Sequence, residues 1–459
     1  MKKQQCKVVV FVFGATTGLT VQVFKDGDSE QVMQANIPWL ENGDDSIFWP
    51  MEWLRKMLNA IKEWAGPGDV LVGAMPGADL VFIGDDNNPI GPARHYRCVD
   101  PNFWRDGLGD VQPLDLYLAT GGAAVEFWQP FSQILFERVH RPELWHQSVN
   151  QIVSLADWMT YQMIYLYEVG TIFSYDATMA QSQGLFNEGV PRQDTREVYS
   201  RVLGEQICEA LFSGVDDPLA TDGQLVRAVS VSQGRTLFPV SHDSPYSRDV
   251  GFSCCPFVLW TGSWLGMAIR TDVKPSRKSF EAGFAFEGVG DSRAAVTNTG
   301  MYGPVWKALK DRGSYVSYEA AVSQVMPLFD DEVPTLSLDE MPDDPKEAAL
   351  WVLSHSLTAG PEMAMAMAMF VKAVATKCVT DIRQAAKLLQ MDEPTEVAIT
   401  GGWAENKAFI KAIKQCGLKV LIPPLAANAT HAGLAAKALV IMGDVKTLPE
   451  ALGVLTGMN

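Results

Sequence analysis

Apolar residues run without a break from Val8 to Phe13, and four of these six are valine. A continuous β-branched run of this length predicts a strand buried on both faces. Gly14-Ala15-Thr16-Thr17-Gly18 then turns the chain, and Leu19 to Phe24 predicts a second strand running back. Leu71 to Gly73 and Leu80 to Ile83 add two more strands, with Pro76-Gly77 between them. From Met51 to Ala65 the apolar positions fall at 51, 54, 57, 58, 61 and 65, which is helical spacing stopped by Gly66-Pro67-Gly68. Pro142 to Leu166 also reads as helix, with an apolar face of Leu144, Trp145, Val149, Ile152, Val153 and Leu155.

The second half repeats the opening. Phe257 to Trp260, Thr261-Gly262-Ser263 and Leu265 to Ile269 spell strand, small-residue turn and strand, as Val8 to Phe24 did. Either the architecture is duplicated, as two α/β domains each presenting a phosphate-sized turn to a shared cleft, or two hairpins match by chance. Residues 327–347 are acidic and proline-rich, so they read as a solvated surface connection. The Met-Ala alternation of Glu362 to Phe370 mimics a strand, but its setting predicts a long, tightly packed helix. Val397 to Ile399 predicts a strand that runs through Thr400-Gly401-Gly402 into an amphipathic helix, Ala404 to Cys416. Lys419 to Ile422 and an Ala-rich helix, Ala432 to Met442, close the pattern.

Composition narrows the partners. A chain of 459 residues with 47% hydrophobic and 20% charged residues has core enough for two or more globular domains. The net charge of -17, with no basic block to offset it, argues against nucleic acid as the main partner. It leaves room for an anionic nucleotide, which needs only a local field. Seven scattered cysteines without a C-x-x-C pair fit a reduced, cytoplasmic setting. The opening MKKQQCKVVVFVFG has an apolar run too short for a signal peptide and reads as the first strand. No stretch reads as the roughly 20 apolar residues that would span a membrane.

Chemistry concentrates between Val240 and Trp264. Ser241-His242-Asp243 precedes a strand that ends in Thr261-Gly262-Ser263. Small-residue turns expose backbone N–H groups and a hydroxyl, which suits phosphate oxygens. An aspartate nearby could take the proton of an attacking hydroxyl. Each half is unspecific alone, since most exposed acids are solvated surface and most Gly-Ser turns only turn the chain. Gly401-Gly402, between a strand and a helix, could likewise bring backbone close to a flat or anionic ligand, or be simply a tight turn.

Taken in order, these segments resemble the FGGY family of carbohydrate kinases, nearest its rhamnulokinase and fuculokinase branch, along nearly the whole chain. The resemblance implies two actin-like ATPase (ribonuclease H-like) α/β domains around a central cleft, divided as 1–248 and 249–459. Phe13 to Gly18 resembles the first phosphate loop, and Pro76-Gly77-Ala78-Asp79 with Gly91-Pro92 and His95-Tyr96-Arg97 a sugar-side segment. Phe127 to Gln133 resembles a stretch that helps wall the sugar pocket, and Ser174 to Phe186 resembles the segment that usually reads Asn-Ala-Ser-Thr-Thr-Gln. The resemblance makes Asp243 the catalytic base and a holder of Mg²⁺, and gives the sugar to Gly77, Asp79, Gln133 and His242. It gives ATP to Gly14, Ala15, Thr16, Thr17, Gly262, Ser263, Asn298, Gly401, Gly402 and Asn406. A small-molecule sugar and a nucleotide are the implied partners, without nucleic acid or membrane, and a homodimer is allowed.

Three departures all fall on the nucleotide side. Val12 stands where the family places a metal-associated aspartate, Trp403 where a third glycine gives adenine room, and Trp306 in place of a glutamine. An isopropyl group offers Mg²⁺ nothing. Two readings follow: a working kinase whose Mg²⁺ is held by ATP, Asp243 and waters, or a degenerate relative that binds a sugar without phosphorylating it or uses another donor. A structural or partner-binding protein on the same fold is the third class.

Overall fold

The computed structural model describes residues 7–14, 18–35, 47–75, 77–86, 88–95, 103–146, 149–167, 177–185, 192–212, 230–232, 235–262, 264–288, 292–330, 332–356 and 363–457. Two compact units result. The first comprises Met1–Tyr246, Lys274–Arg293 and Thr430–Asn459, and the second Ser247–Val273 and Ala294–Ala429. The boundary thus follows Tyr246, and two later segments complete the first unit.

In chain order the first unit carries β1 (Val8–Gly14), β2 (Gly18–Lys25), β3 (Asp28–Ala35), β4 (Ile47–Phe48), β5 (Val70–Met75), β6 (Leu80–Ile83), β7 (Ala93–Arg94), β8 (Gln151–Ser154), β9 (Ser230–Ser232) and β10 (Arg235–His242). Its main sheet has the order β3-β2-β1-β5-β10-β9. The hairpin pairs β1–β2 and β2–β3 are antiparallel, while β1–β5 and β5–β10 are parallel. The run Val8–Phe13 is buried throughout, as its unbroken apolar pattern requires. Gly73 sits opposite Phe11, and a Cβ there would stand 2.0 Å from the Phe11 ring, so the glycine is the space that ring occupies.

The second unit repeats this plan. After β11 (Phe257–Thr261) and β12 (Leu265–Arg270), the chain passes through β13 (Ala285–Glu287), which lies in the Lys274–Arg293 segment, to β14 (Ala294–Gly300), β15 (Glu396–Gly401) and β16 (Lys419–Leu421). The second unit's own strands run β14-β12-β11-β15-β16, with two antiparallel pairs followed by two parallel ones. Strand order and sense both match β3-β2-β1-β5-β10. Chance hairpins would not reproduce four pairings in sequence, so the duplication is real. Gly266 even repeats the device of Gly73, since it faces Trp260 and a Cβ there would meet the indole at 2.1 Å.

The helices depart from the sequence reading in instructive places. The first long helix is Pro50–Trp64, and its buried stripe is Trp53, Leu54, Met57, Ala60 and Ile61, with Met51 turned out to solvent. The single helix expected over 142–166 is instead a 3-10 turn at Pro142–His146, strand β8 and a helix at Leu155–Tyr167. Antiparallel pairing of β8 with β6 overrides the helical spacing, and the helix starts where the Ser154 hydroxyl accepts from the Asp157 amide at 2.9 Å. The Met-Ala stretch belongs to a 26-residue helix, Met363–Leu388. Contrary to the sequence expectation, this helix is long and apolar enough to cross a membrane, but 61% of its apolar window is buried within the protein. The helix packs beside the helix Lys407–Gln415, and its alanines Ala366, Ala368, Ala373 and Ala375 are buried, as in a core helix. The acidic connection is not wholly solvated either, because Phe329, Val333 and Leu336 anchor it.

Candidate functional site

In sheets with parallel central strands, ligands collect at the carboxyl ends of those strands. In the first unit these ends are Gly14 on β1, Met75 before Gly77 on β5, and His242 before Asp243 on β10, which sits level with Met75. Ala15, Thr16 and Thr17, together with Pro76, Tyr96 and Arg97, lie outside the described residues. The structure therefore unites Gly77, Asp79, Gln133, His242 and Asp243 around one segment.

That segment, Gly77-Ala78-Asp79, is held at every carbonyl. Gln183 Nε2 donates to Gly77 O at 3.0 Å, Gln133 Nε2 donates to Ala78 O, and Leu155 N donates to Asp79 O at 2.8 Å. Buried His95 Nδ1 lies 3.0 Å from the Asp79 carboxylate. Gln133 also donates to Trp128 O at 2.7 Å, so its amide fixes backbone on two sides. Gln183 comes from the turn after the helix Ala177–Ser182, and Gln129 Nε2 holds that helix's end through Ser182 O at 2.8 Å. The resemblance named the Ser174 to Phe186 segment without singling out Gln183. One helical turn beyond Gln133, Glu137 pairs with both Arg94 and Arg141, all three buried. Helix spacing of four puts Gln133 and Glu137 on one face, which thereby braces the segment and β7 together.

Gly77 is required here by close approach. A Cβ would stand 2.7 Å from Ser182 Oγ and 2.8 Å from His242 Cδ2. Gly77→Ala is expected to lose about 1–3 kcal/mol through this overpacking. A lower melting temperature than the wild type's checks this; an unchanged one would mean that Gly77 is not packed against Ser182 and His242 as described.

Asp243 opens the helix Asp243–Phe252, with its side chain 28% exposed and its Oδ1 3.5 Å from His242 Nε2. Burial pushes its carboxyl above the usual aspartate range, against the opposing pull of His242 and of the Ser244 hydroxyl. An acid so placed is a better proton acceptor than a solvated one. His242 Nδ1 is buried and has no hydrogen-bond partner among the described residues.

One residue absent from the sequence reading also reaches this end of the sheet. His431 Nε2 lies 3.0 Å from Thr20 Oγ1, and Thr20 pairs with Val12 across β1–β2. The Thr20 hydroxyl donates to Val12 O at 3.3 Å, so the imidazole donates to Thr20. Burial lowers the His431 pKa to about 4, which keeps the ring neutral.

In the second unit, Thr261 and Gly401 pair at the ends of neighbouring parallel strands. Gly262 is exposed with open space around it, and Ser263 lies outside the described residues. Gly401 has φ +82° and lies against Thr261, whose hydroxyl donates to Thr400 O at 2.6 Å and accepts from Trp403 N at 2.9 Å. Gly402 is exposed, with room for a side chain. Asn298 is exposed on β14. Asn406 is fully buried, and its Oδ1 caps the helix Lys407–Gln415 by accepting from Phe409 N at 3.1 Å. The two tryptophans of the nucleotide-side departures meet: Trp306 and Trp403 are buried with ring centroids 6.2 Å apart, and Trp403 also packs on Phe409 at 4.9 Å.

No family model and no curated protein matches the sequence. Solved structures do match its fold. Glycerol kinase from Plasmodium falciparum with ADP superposes with a TM-score of 0.71 at 12% identity, over 98% of this chain and 92% of that one. Ligand-bound xylulose kinase and gluconate kinase, both from Lactobacillus acidophilus, each give 0.69 at 11% identity over the same shares. The chain has the actin-like ATPase fold of the two-domain sugar kinases. At such low identity the likeness concerns the fold.

Proposed function

We propose that this chain is a carbohydrate kinase of the FGGY type, transferring a phosphoryl group from ATP to a hydroxyl of a ketose or deoxyketose. The observation that carries this reading is the place of Asp243, a part-exposed carboxyl at the end of β10 directly after His242, whose ring stands against the braced Gly77 to Asp79 segment. Rhamnulose and fuculose are the first candidates, on the resemblance of His242-Asp243 to that branch. A cytoplasmic setting fits the free thiols of Cys208, Cys254, Cys255, Cys378 and Cys416.

In this mechanism the sugar's backbone-braced segment and His242 orient one hydroxyl toward Asp243. As that oxygen bonds to the γ-phosphorus, its proton passes to the Asp243 carboxylate and the β–γ bridging bond breaks, releasing ADP. The sugar's position does most of the work, because in-line attack depends on alignment. Gly262 is exposed at a strand end with open space around it, which admits a phosphate oxygen, while its own N–H is donated to Trp264 O at 2.9 Å.

No group of three or more His, Cys, Asp or Glu among the described residues could hold a metal ion. Magnesium usually takes only one or two carboxylates plus substrate phosphates, so Asp243 alone fits it, and the ion would offset phosphate charge. Val12 is 6% exposed, and its carbonyl accepts from Thr20. A Val12→Asp carboxylate would be buried and costly without a cation. Mg²⁺ is therefore expected to raise the melting temperature of Val12→Asp more than that of the wild type, and to raise its Mg-dependent turnover. Equal shifts and unchanged turnover would remove Val12 as the defect.

The same departures favour the second reading, a sugar-binding relative without ATP-dependent phosphorylation. Mass spectrometry of sugars incubated with protein and Mg-ATP separates the two. A sugar phosphate supports the kinase. Free phosphate alone, or no product, supports the binder.

A further inference from the structure

We infer that the first unit carries a second ligand site, apart from the Gly77 to Asp79 segment, that takes a small carboxylate with a compact apolar body. The inference goes beyond the kinase reading and stands without it. The site is a groove of about 530 Å³, counted with its open side, among the helix Pro130–His140, the 3-10 turn Pro142–His146 and the helix Glu205–Phe212. Its lining joins one cation and one amide, Arg138 and Gln206, to the apolar groups Trp145, Val149, Ile207 and Ala210. Successive helix residues point about 100° apart, so Arg138 turns off the buried face that carries Gln133 and Glu137 and is exposed. Two carboxylates on these helices are engaged elsewhere, Glu137 by Arg94 and Arg141 and Glu209 by Arg196. Arg138 pairs with no carboxylate among the described residues. Its Nη1 donates to Leu203 O at 3.4 Å, a long bond that steadies the side chain and leaves most of its N–H donors for a ligand. A planar guanidinium meets a carboxylate through two parallel bonds. The walls define the rest of the ligand. Trp145 stands edge-on to Phe82 at 5.4 Å and Ala210 is buried, so the apolar surface sits on a packed frame. Such a surface gains by covering an apolar body and gains nothing from a bare phosphate. The Trp145 indole N–H is shielded and has no hydrogen-bond partner among the described residues, and a carboxylate oxygen is the kind of acceptor it lacks.

The test is isothermal titration calorimetry of the full wild-type chain with hexanoate, hexan-1-ol and inorganic phosphate, in the absence of sugar and nucleotide. Hexanoate should bind at least about tenfold more tightly than either control, because it alone meets both the guanidinium and the apolar wall. Arg138→Gln should weaken hexanoate binding about tenfold to a hundredfold, the usual worth of hydrogen bonds to a charged group. The residue is exposed, so this variant should melt close to the wild type. Ile207→Glu sets a like charge in the wall and should weaken hexanoate binding at least as much. No hexanoate binding by the wild type would overturn the inference. So would hexan-1-ol or phosphate binding as tightly as hexanoate, or an Arg138→Gln affinity equal to the wild type's. Turnover enters none of these readings, so a failed kinase assay leaves the site standing and a failed titration leaves the kinase reading untouched.

Discussion

Asp243→Asn is expected to lower kcat for sugar phosphorylation by about 10²–10⁴-fold, the usual contribution of a positioned general base, while leaving sugar affinity nearly unchanged. The amide keeps the shape and much of the hydrogen bonding but cannot take the proton. The same substitution should stabilise the fold. Burial raises the folded carboxyl's pKa above the ordinary aspartate value, so the folded state holds this proton to higher pH than the unfolded chain does. The resulting penalty is absent below the unfolded value, grows as pH rises through the folded pKa, and is complete above it. Asp243→Asn removes that penalty, so its melting temperature at neutral pH should exceed the wild type's, and the two should converge in acid. Activity in the wild type should fall with acid at a pH above the ordinary aspartate range, as the base becomes protonated. A pH–rate profile and parallel melting curves read both effects. An Asp243→Asn protein that still turns over at the wild-type rate would dismiss Asp243 as the base.

Gly401→Ala is expected to be the most damaging single change to the second unit. The residue has φ +82°, which an alanine adopts only with strain, and its Cβ would lie 1.7 Å from Thr261 O. No side-chain rotation relieves a clash with backbone in the next strand, because β11 and β15 are hydrogen-bonded there. Strain and overpacking together should cost about 3–5 kcal/mol, seen as a large fall in denaturation midpoint. Gly402→Ala is the control: with open space around it, it should melt close to the wild type. Equal behaviour of the two variants would mean that the strand ends are not packed as described.

How far the sequence carried this account depends on the distance over which each feature is determined. The strands β1, β2, β11 and β12 were legible because β-branched runs and glycine turns are local signals. The duplicated order followed from them only once the parallel partners β5, β10, β15 and β16 were placed. β8 was misread as helix because its strand character comes from β6, some seventy residues earlier, and not from its own spacing. The resemblance pointed to Gly77 and Asp243 as parts of a candidate site, but gave no sign of Gln183, which braces Gly77, or of Gln133 as the brace of Ala78. His431 gave no signal in an Ala-rich helix, since its partner Thr20 is 411 residues away. Trp306 and Trp403 looked like two separate losses. Their contact shows one aromatic cluster, which a linear reading could not join.

The central claim is best tested by sugar-dependent release of nucleoside diphosphate from Mg-ATP across ketoses, deoxyketoses and polyols, with wild type and Asp243→Asn run side by side. The account predicts turnover with at least one sugar that the substitution abolishes while the sugar still raises both melting temperatures. Silence across the panel, with sugars that stabilise both proteins alike, would contradict it and leave a sugar-binding protein in place of a kinase.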